Sequence, residues 1–461
     1  MSAEAYDPRA PGLLAFHDSV ARFRAGDDTP TAYLGRCLER IAAAEPRVKA
    51  FASTRLDGAM AAAEAATARY RDGCPASPID GMPLGLKDVF ETRDAPTGWG
   101  ARALAENPGR RDAAIVQALR AGGAIVVGKT ALPELGFGPP AATTNPWDRA
   151  RTPGGSSSGS AAAVAAAMVP VAIGTQGKGS LTRPASYCGV YGFKPGHGTI
   201  HRGGDGGGQA TNTHVGVLAG TLEDAWITAR FLSHGAGPHP GGFGLEGPKA
   251  PPAPVKPRVL VRMEAAGWEA TGESAKAAYQ GQLARLARRG VTIARAADDP
   301  PWAALEADHG AAAQALSAIA DYESRWPLVM YLERDRDEGT RAFHALTHER
   351  GLARLAVSRE DYLLALRTRR RYRKRLAALE GDGVFAVTPA ATGTAPRGLD
   401  ATGSAVYQWA SSLAGNPVVS LPFMVADAMP LGLQVQGFVG GEAKLIAAAR
   451  WCDAAFRGGE I

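Results

Sequence analysis

The sequence predicts an α/β fold in which a central β-sheet is covered by helices on both faces. Segments with three- and four-residue apolar spacing alternate with short segments rich in β-branched residues, the pattern of helices and strands in α/β proteins. The 461 residues are 45% hydrophobic and 21% charged, an ordinary composition for a globular enzyme. This length fits two or three domains or one large α/β unit, and we predict one domain over residues 1–461.

The charge and cysteine content bear on the class of protein. The formal net charge of +6 is a mild excess that does not by itself predict a nucleic-acid partner. Cys37, Cys74, Cys188 and Cys452 are far apart in the chain, which argues against a zinc site or a disulfide framework and favours a reducing cytoplasm. The first residues do not read as a signal peptide, and the longest apolar run, 161–173, is too short to cross a bilayer. We therefore expect a cytoplasmic protein with no membrane partner.

Residues 1–75 are predicted to form a helical N-terminal layer. Apolar residues recur at helical spacing between Leu34 and Ile41. Thr29-Pro30 is typical of a helix start, and a second helix is expected over 59–70.

The elements that follow are predicted from periodicity and from glycine and proline positions. In chain order they are a strand within 79–90, a helix over 112–121, a strand over 124–127, a buried helix over 161–173, a glycine-rich loop over 198–208, a helix over 222–232, a Pro/Gly-rich surface connection over 235–257, a strand over 258–262, a helix over 275–289, a strand over 291–294, a helical block over 301–380, strands over 384–388, 418–421 and 433–437, and a helix over 441–456.

Residues 79–200 contain the chemistry-bearing segments. Two glycine turns carry serines, one around Ser156 and one ending at Ser180, and glycines allow the backbone to approach a ligand and point N–H groups at it. Lys87 lies in an apolar strand segment, where desolvation would lower its pKa and provide a neutral base. The alternative for Lys87 is an ion pair with a carboxylate at a strand end.

Two formal motif matches are rejected. Residues 123–130 match the phosphate-loop pattern, but here the strand lies between the two glycines instead of before them, and Pro133 disfavours an immediate helix. Residues 155–159 match the nucleophile elbow with Ser157 at its centre, yet the polar segment 145–153 with its two prolines does not predict the required preceding strand.

Three segments together resemble the amidase signature family, whose members use a Ser–cis-Ser–Lys triad. They are Gly81-Met-Pro-Leu-Gly-Leu-Lys-Asp, Pro153-Gly-Gly-Ser-Ser-Ser-Gly-Ser, and Gly174-Thr-Gln-Gly-Lys-Gly-Ser with Cys188-Gly-Val-Tyr-Gly-Phe-Lys-Pro. Ser180 follows Ser156 by 24 positions, as in that family. Weaker similarity covers nearly the whole chain, and the resemblance implies a mixed central sheet.

The resemblance also implies roles for individual residues. Ser180 would be the nucleophile that forms an acyl-enzyme, Ser156 would follow a cis peptide bond and relay a proton, and Lys87 would be the general base. The backbone N–H groups of Gly177, Lys178, Gly179 and Ser180 would form the oxyanion hole. The implied reaction is hydrolysis of a small-molecule carboxylic amide to an acid and ammonia or an amine, with no cofactor and no metal.

The nucleophile segment departs from the family's common Gly-Thr-Asp-Thr-Gly-Gly-Ser-Ile-Arg. Gln176, Lys178 and Thr182 replace an acid, a glycine and an arginine, and Arg183 lies one position later. Loss of the acid and the arginine together indicates a lost pairing, for which Arg183 is a candidate shifted partner. The cationic Lys178 side chain suggests a preference for acidic or polar amides.

Two other functions remain as alternatives. One is the glutaminase-type A subunit of a tRNA-dependent amidotransferase, which usually keeps the acid and the arginine that are missing here. The other is a non-catalytic scaffold with the same fold. The basic run 367–375 is interpreted as the exposed side of an amphipathic helix, with no nucleic-acid partner expected. A homo-oligomer is compatible with the sequence, although no particular residue points to one.

Overall fold

A mixed sheet of eleven strands runs through the described part of the chain. The computed structural model describes residues 6–106, 108–264, 267–337 and 343–458. Residues 1–5 of the predicted N-terminal layer and 338–342 of the predicted helical block therefore lie outside the described residues. The strands are β1 (Phe51–Thr54), β2 (Pro83–Lys87), β3 (Ile125–Thr130), β4 (Val171–Gln176), β5 (Tyr191–Lys194), β6 (His214–Ala219), β7 (Val259–Arg262), β8 (Thr292–Arg295), β9 (Val384–Pro389), β10 (Val418–Ala426) and β11 (Met429–Gln436).

The strand order is β1-β3-β2-β4-β6-β5-β10-β11-β9-β7-β8. Strands β3, β2 and β4 are mutually parallel, as are β9, β7 and β8, while the pairs between these two groups are antiparallel. Strands β2 and β4 are interior and almost wholly buried, so the residues at their ends are held by neighbours on both sides.

The described helices flank this sheet. They are α1 (His17–Ala25), α2 (Pro30–Val48), α3 (Leu56–Arg71), α4 (Ala114–Ala121), α5 (Ser158–Ala165), α6 (Thr182–Cys188), α7 (Leu222–Gly235), α8 (Glu273–Arg288), α9 (Pro300–Ala307), α10 (His309–Glu323), α11 (Arg325–Asp337), α12 (Ala345–Leu355), α13 (Arg359–Ala378), α14 (Trp409–Ala414) and α15 (Glu442–Arg457). The α/β prediction with a mixed central sheet is confirmed.

Local signals account for several of the helix starts. Thr29 caps α2 by accepting a hydrogen bond from the Ala32 backbone N–H at 3.0 Å, and Pro30 is the first helical residue.

The region predicted as a helical N-terminal layer contains α1 to α3 and one strand, β1, which pairs with β3 at the sheet edge. Residues between α7 and β7 form neither helix nor strand.

The prediction of one buried helix over 161–173 is wrong in its second half. Helix α5 ends at Ala165, Ala167 adopts a left-handed conformation with φ of 53°, and β4 begins at Val171. Pro170 lacks a backbone N–H and restricts the residue before it to extended geometry. Because β4 then pairs with β2 and β6, its backbone groups are satisfied as a strand.

Strand β6 was not predicted. Its sequence, His214-Val-Gly-Val-Leu-Ala, is short and interrupted by a glycine. A Cβ on Gly216 would lie 2.7 Å from the carbonyl oxygen of Phe193 on the neighbouring strand β5, so the close strand approach requires glycine there.

The described residues form three apolar clusters, two large ones and a small one that contains Ala101, Leu104, Leu135 and Phe343. The largest lies around β2 to β6, β10 and β11 with the helices beside them. A second cluster lies beneath α9, α10, α13 and α14, and it includes Trp302, Leu316, Tyr372 and Leu413.

Candidate active site

Lys87 is the last residue of β2, and its side chain is 1% exposed. The Nζ donates hydrogen bonds to the Ser156 Oγ and to the Thr175 Oγ1, both at 2.8 Å. Ser156 lies 69 positions away in the chain, and Thr175 belongs to the adjacent strand β4. The sheet therefore brings the predicted base and the first predicted serine into direct contact.

Burial lowers the pKa of Lys87 to about 7, and the negative charge of Asp205 opposes part of that shift. The alternative interpretation of Lys87, an ion pair with a carboxylate, does not apply to Lys87 but to another buried lysine. Lys129 on β3 forms an ion pair with Asp88 at 2.8 Å. Lys87 forms no ion pair with any described residue. A lysine bonded only to hydroxyl groups is the arrangement that favours a neutral amine.

Ser156 lies in the loop before α5, and the peptide bond between Gly155 and Ser156 is cis. The neighbouring residue Ser157 ties this loop to the second serine segment. Its backbone N–H donates to the Ser180 carbonyl oxygen at 3.0 Å, and its Oγ donates to the Thr175 carbonyl oxygen at 3.2 Å. These bonds fix the two serine turns relative to each other.

Ser180 ends the loop between β4 and α6 and lines the same cavity as Lys87 and Ser156. Its hydroxyl forms no hydrogen bond to a described residue, so the proton relay from Ser180 to Ser156 that the resemblance implies stays a prediction. Hydrogen bonds between catalytic groups are commonly long in a free enzyme and tighten when substrate binds.

The backbone of residues 177–180 is available to a ligand. Across the described ranges, the N–H groups of these four residues donate no hydrogen bond. A Cβ on Gly179 would lie 2.6 Å from the Ala405 Cβ, so the loop packs against residues 405–408 as closely as glycine allows.

The three residues, the loop 177–180 and their surroundings enclose a cavity of about 230 Å³. Its lining combines the two serines with cationic, polar and aromatic groups. The lining residues are Lys87, Val89, Trp99, Leu135, Gly136, Phe137, Ser156, Thr175, Gly177, Lys178, Gly179, Ser180, Arg183, Arg202, Asp205, Gly207, Gln209, Thr213, Arg354 and Ala405.

The prediction that Arg183 replaces the lost partner of position 176 is wrong. The guanidinium of Arg183 donates to the carbonyl oxygens of Gly155 and Gly403, each at 2.5 Å, and to the Thr402 Oγ1 at 3.0 Å. The geometry of α6 directs Arg183 towards the loop that carries Ser156 and away from Gln176. Burial lowers the pKa of Arg183, and no carboxylate among the described residues pairs with it.

Gln176 and Thr182 form a pair of their own. The Gln176 Oε1 accepts hydrogen bonds from the backbone N–H groups of Leu181 and Thr182, both at 3.0 Å, and from the Thr182 Oγ1 at 3.3 Å. The Gln176 Nε2 donates to the Ser412 Oγ at 3.1 Å. A neutral side chain therefore satisfies the N-terminal N–H groups of the helix that follows Ser180.

The Lys178 side chain does not act on Lys87. Its Nζ donates to the Ser317 Oγ on α10 at 3.0 Å. Burial lowers the pKa of Lys178, Asp321 raises it, and Arg354 lowers it.

Sequence analysis missed several residues of this site. Thr175 and Asp205 act directly on Lys87, and Arg354 comes from α12, far along the chain. Thr175 lies within a recognised motif, but the sequence offers no signal for Asp205 or Arg354.

In the described part of the chain, no group of three His, Cys, Asp or Glu side chains is arranged to hold a metal ion. None of the described helices combines the length and the apolar character needed to cross a membrane.

Several known proteins resemble this chain in sequence and in structure. The family model described as amidase matches residues 32–446. A structure described as an amidase is 27% identical with a TM-score of 0.83, covering 96% of this chain and 99% of that one. The peptide amidase from Stenotrophomonas maltophilia is 26% identical with a TM-score of 0.80, covering 95% and 96% respectively.

A curated relative is similar over a shorter region. The A subunit of the glutamyl-tRNA(Gln) amidotransferase from Chloroflexus aggregans is 39% identical over 227 residues, which cover 48% of this chain and 46% of the relative. The match thus spans about half the length of that relative.

Proposed function

The chain belongs to the amidase family, and on that premise we propose that it hydrolyses a carboxylic amide to a carboxylic acid and ammonia or an amine. The observation that carries the proposal is the desolvated Lys87, bonded to the Ser156 hydroxyl in the cavity that Ser180 also lines. A neutral amine beside a hydroxyl is a base that accepts a proton near neutral pH.

In the proposed mechanism the Ser180 Oγ attacks the carbonyl carbon of the amide. The Ser180 proton passes to the Ser156 Oγ as the Ser156 proton passes to the Lys87 Nζ. The resulting lysinium returns a proton through the Ser156 hydroxyl to the leaving nitrogen, and the C–N bond breaks to leave an ester on Ser180. Water then attacks the ester with the same groups acting in reverse, which releases the acid and restores the hydroxyl.

The N–H groups of residues 177–180 would stabilise the oxyanion that forms on the carbonyl oxygen. Two observations support this role. These N–H groups have no hydrogen-bond partner among the described residues, and their loop is held in place by the hydrogen bonds of Gln176 and by the packing of Gly179 against Ala405. Loss of one such donor costs about 3–4 kcal/mol of transition-state stabilisation.

Covalent labelling tests the nucleophile. A serine-directed fluorophosphonate should modify Ser180, and Ser180→Ala should abolish both labelling and ammonia release from a panel of aliphatic, aryl, amino-acid and urea-type amides. Ser274→Ala, which removes an exposed hydroxyl on α8, serves as the control and should retain both. Unchanged labelling of Ser180→Ala would refute the assignment.

A second candidate is glutamine hydrolysis within an amidotransferase complex, favoured by the similarity to the Chloroflexus relative. A protein with that role depends on partner chains. Efficient hydrolysis of non-glutamine amides by the purified chain supports the independent amidase. Glutamine-specific activity that appears only with partner chains supports the second candidate.

A further inference from the structure

We propose that the cavity contains an anion subsite formed by the side chains of Lys178 and Arg354, and that the substrates are amides carrying a carboxylate away from the scissile bond. This inference rests on the proposed amide hydrolysis for the reacting group. It concerns the other end of the substrate.

Arg354 is a largely buried cation at the wall of the cavity. It lies on α12, its side chain is 14% exposed, and its Cζ is 4.0 Å from the centroid of the Phe137 ring, which also lines the cavity. Its Nη1 is 3.5 Å from the Asp321 Oδ1, but neither of these two buried atoms has a hydrogen-bond partner among the described residues. A buried guanidinium with free donors is costly unless a ligand accepts from it.

Lys178 adds a second positive charge at the same place. Its Nζ bonds to the neutral Ser317 hydroxyl, and it forms no ion pair within the described ranges. Ser317 and Asp321 are one turn apart on α10, Asp321 lies 3.5 Å from Arg354, and Lys178 and Arg354 line the same cavity, so these groups form one cluster. One carboxylate therefore faces two cations, and this cluster has a net charge of one positive unit when Lys178 is protonated.

The other cations of the cavity are already engaged. Arg202 binds Asp205 through its Nε at 2.8 Å and its Nη2 at 3.2 Å. Both terminal nitrogens of Arg183 donate to oxygens of the loops that carry Gly155 and Gly403. Lys87 is bonded to two hydroxyls. Donors for an anionic ligand thus remain chiefly at Lys178 and Arg354.

A ligand carboxylate would add a second negative charge beside Asp321 and accept hydrogen bonds from the two cations, whereas a neutral group would leave the excess positive charge of the cluster uncompensated. Charge-assisted hydrogen bonds in a site shielded from water are stronger than neutral ones, and guanidinium matches carboxylate geometry. We therefore expect the subsite both to bind a substrate carboxylate and to favour anionic amides over neutral ones.

The test compares succinamate with succinamide, in which a neutral amide occupies the place of the carboxylate. For the unmodified enzyme, kcat/KM should be higher for succinamate by about tenfold or more, the factor that corresponds to one charge-assisted bond. Lys178→Met and Arg354→Gln should each reduce this ratio by about tenfold. Arg359→Gln removes an exposed positive charge at the start of α13 and should leave the ratio unchanged. A ratio near one in the unmodified enzyme, or a ratio unaffected by both variants, would overturn the proposal.

A binding measurement separates this inference from the proposed function. Calorimetric titration of Ser180→Ala with succinate should show binding that weakens about tenfold with Arg354→Gln added. Succinate binding that depends on Arg354, together with no hydrolysis of any amide by the unmodified chain, would keep the subsite and refute the hydrolase. Succinate binding that is absent or independent of Arg354 would refute the subsite.

Discussion

At the scale of single residues, Lys87 and Lys129 show how the same side chain takes two roles on neighbouring strands. Both are buried, but Lys129 has Asp88 as its ion-pair partner, whereas Lys87 has two hydroxyls. Burial lowers the pKa of both, and for Lys87 the value falls to about 7. If Lys87 is the base proposed above, we expect its burial to reduce stability, as is common for catalytic groups.

The pKa of Lys87 predicts the pH dependence of the reaction. Because only the neutral amine accepts a proton, kcat/KM should rise with pH and level off above about 7. The measurement is the rate of ammonia release or of fluorophosphonate labelling between pH 5.5 and 9. A rate independent of pH over this range would contradict the role of Lys87 as base.

The same pKa predicts a change in stability. The unfolded chain keeps Lys87 protonated up to its ordinary pKa of 10.5, while the folded protein releases the proton near 7. Below pH 7 both states are charged and the folded state carries the full cost of burying the ammonium. Between pH 7 and 10.5 the unfolded state binds more protons, so the stability of the unmodified protein rises with pH relative to an uncharged variant.

We therefore expect Lys87→Met to raise Tm while abolishing activity, with the largest gain at or below pH 7 and a smaller gain near pH 9. Thermal unfolding of both proteins across this range provides the measurement. A Tm that falls equally at every pH would show that Lys87 serves only to hold the structure.

At the scale of elements, the unit that positions Ser180, the proposed nucleophile, consists of β4, the loop 177–180 and α6. Gln176 at the end of β4 accepts from the first N–H groups of α6, and Ser412 beside it donates to the Lys178 carbonyl oxygen at 2.7 Å. The loop that carries Ser180 is thus fixed at both ends by hydrogen bonds with neutral side chains.

Replacement of Gln176 by leucine should release this loop. The buried N–H groups of Leu181 and Thr182 would lose their acceptor, at a cost of about 1–3 kcal/mol for each group left unsatisfied. We expect Gln176→Leu to lower the free energy of unfolding by at least about 2 kcal/mol and to reduce kcat. Denaturant unfolding and steady-state kinetics measure the two effects.

Gln117→Leu is the matched control, because Gln117 is exposed on α4. Its effect on the free energy of unfolding should stay within about 0.5 kcal/mol. Equal effects of the two substitutions would show that the bonds of Gln176 do not hold the loop.

At the scale of the whole molecule, the basic run 367–375 illustrates how one helix serves the core and the solvent together. Tyr372 and Leu376 on α13 are buried in the second apolar cluster, and Tyr362 and Leu366 pack against it. Arg369 points inward and donates to the Leu413 carbonyl oxygen at 3.0 Å. Other basic residues of the run are exposed, namely Arg367, Arg370, Arg371, Lys374 and Arg375.

This division of α13 supports the interpretation of a solvated helix face, since part of the positive charge is used internally and Arg371 and Arg375 both pair with Asp308. We expect transfer RNA to bind no more tightly than non-specific contacts allow, with Kd of about 10⁻⁴–10⁻⁶ M at physiological salt. Filter binding of the unmodified chain measures this affinity. Nanomolar binding that is lost when Arg367, Arg370 and Lys374 are changed to glutamine would contradict this interpretation.

Much of the fold was predictable because its signals are local. Thr29-Pro30 starts α2 as expected, and the β-branched segment within 258–262 forms β7. The errors arose where local preference and pairing disagree. The apolar run 161–173 favours helix by composition, yet its last residues, from Val171 onward, lie in β4 because they pair with β2 on one side and β6 on the other. Strand β6 has a weak sequence pattern and exists because β4 and β5 pair with it.

The sequence by itself determined the residues that carry the proposed chemistry, since Lys87, Ser156 and Ser180 stand in short motifs whose glycines and spacing are properties of the chain. It also determined the family and the α/β class.

The tertiary structure decided the environment of these residues. Lys87 is hydrogen-bonded to Ser156, 69 positions away in the chain, and Arg183 is hydrogen-bonded to Thr402, 219 positions away. These contacts depend on which strands and loops become neighbours. The lowered pKa of Lys87, the pairing of Gln176 with Thr182, and the cluster of Lys178 with Arg354 all follow from burial and long-range contact. Burial of a charge is a property of the surrounding fold and has no local signature in the sequence.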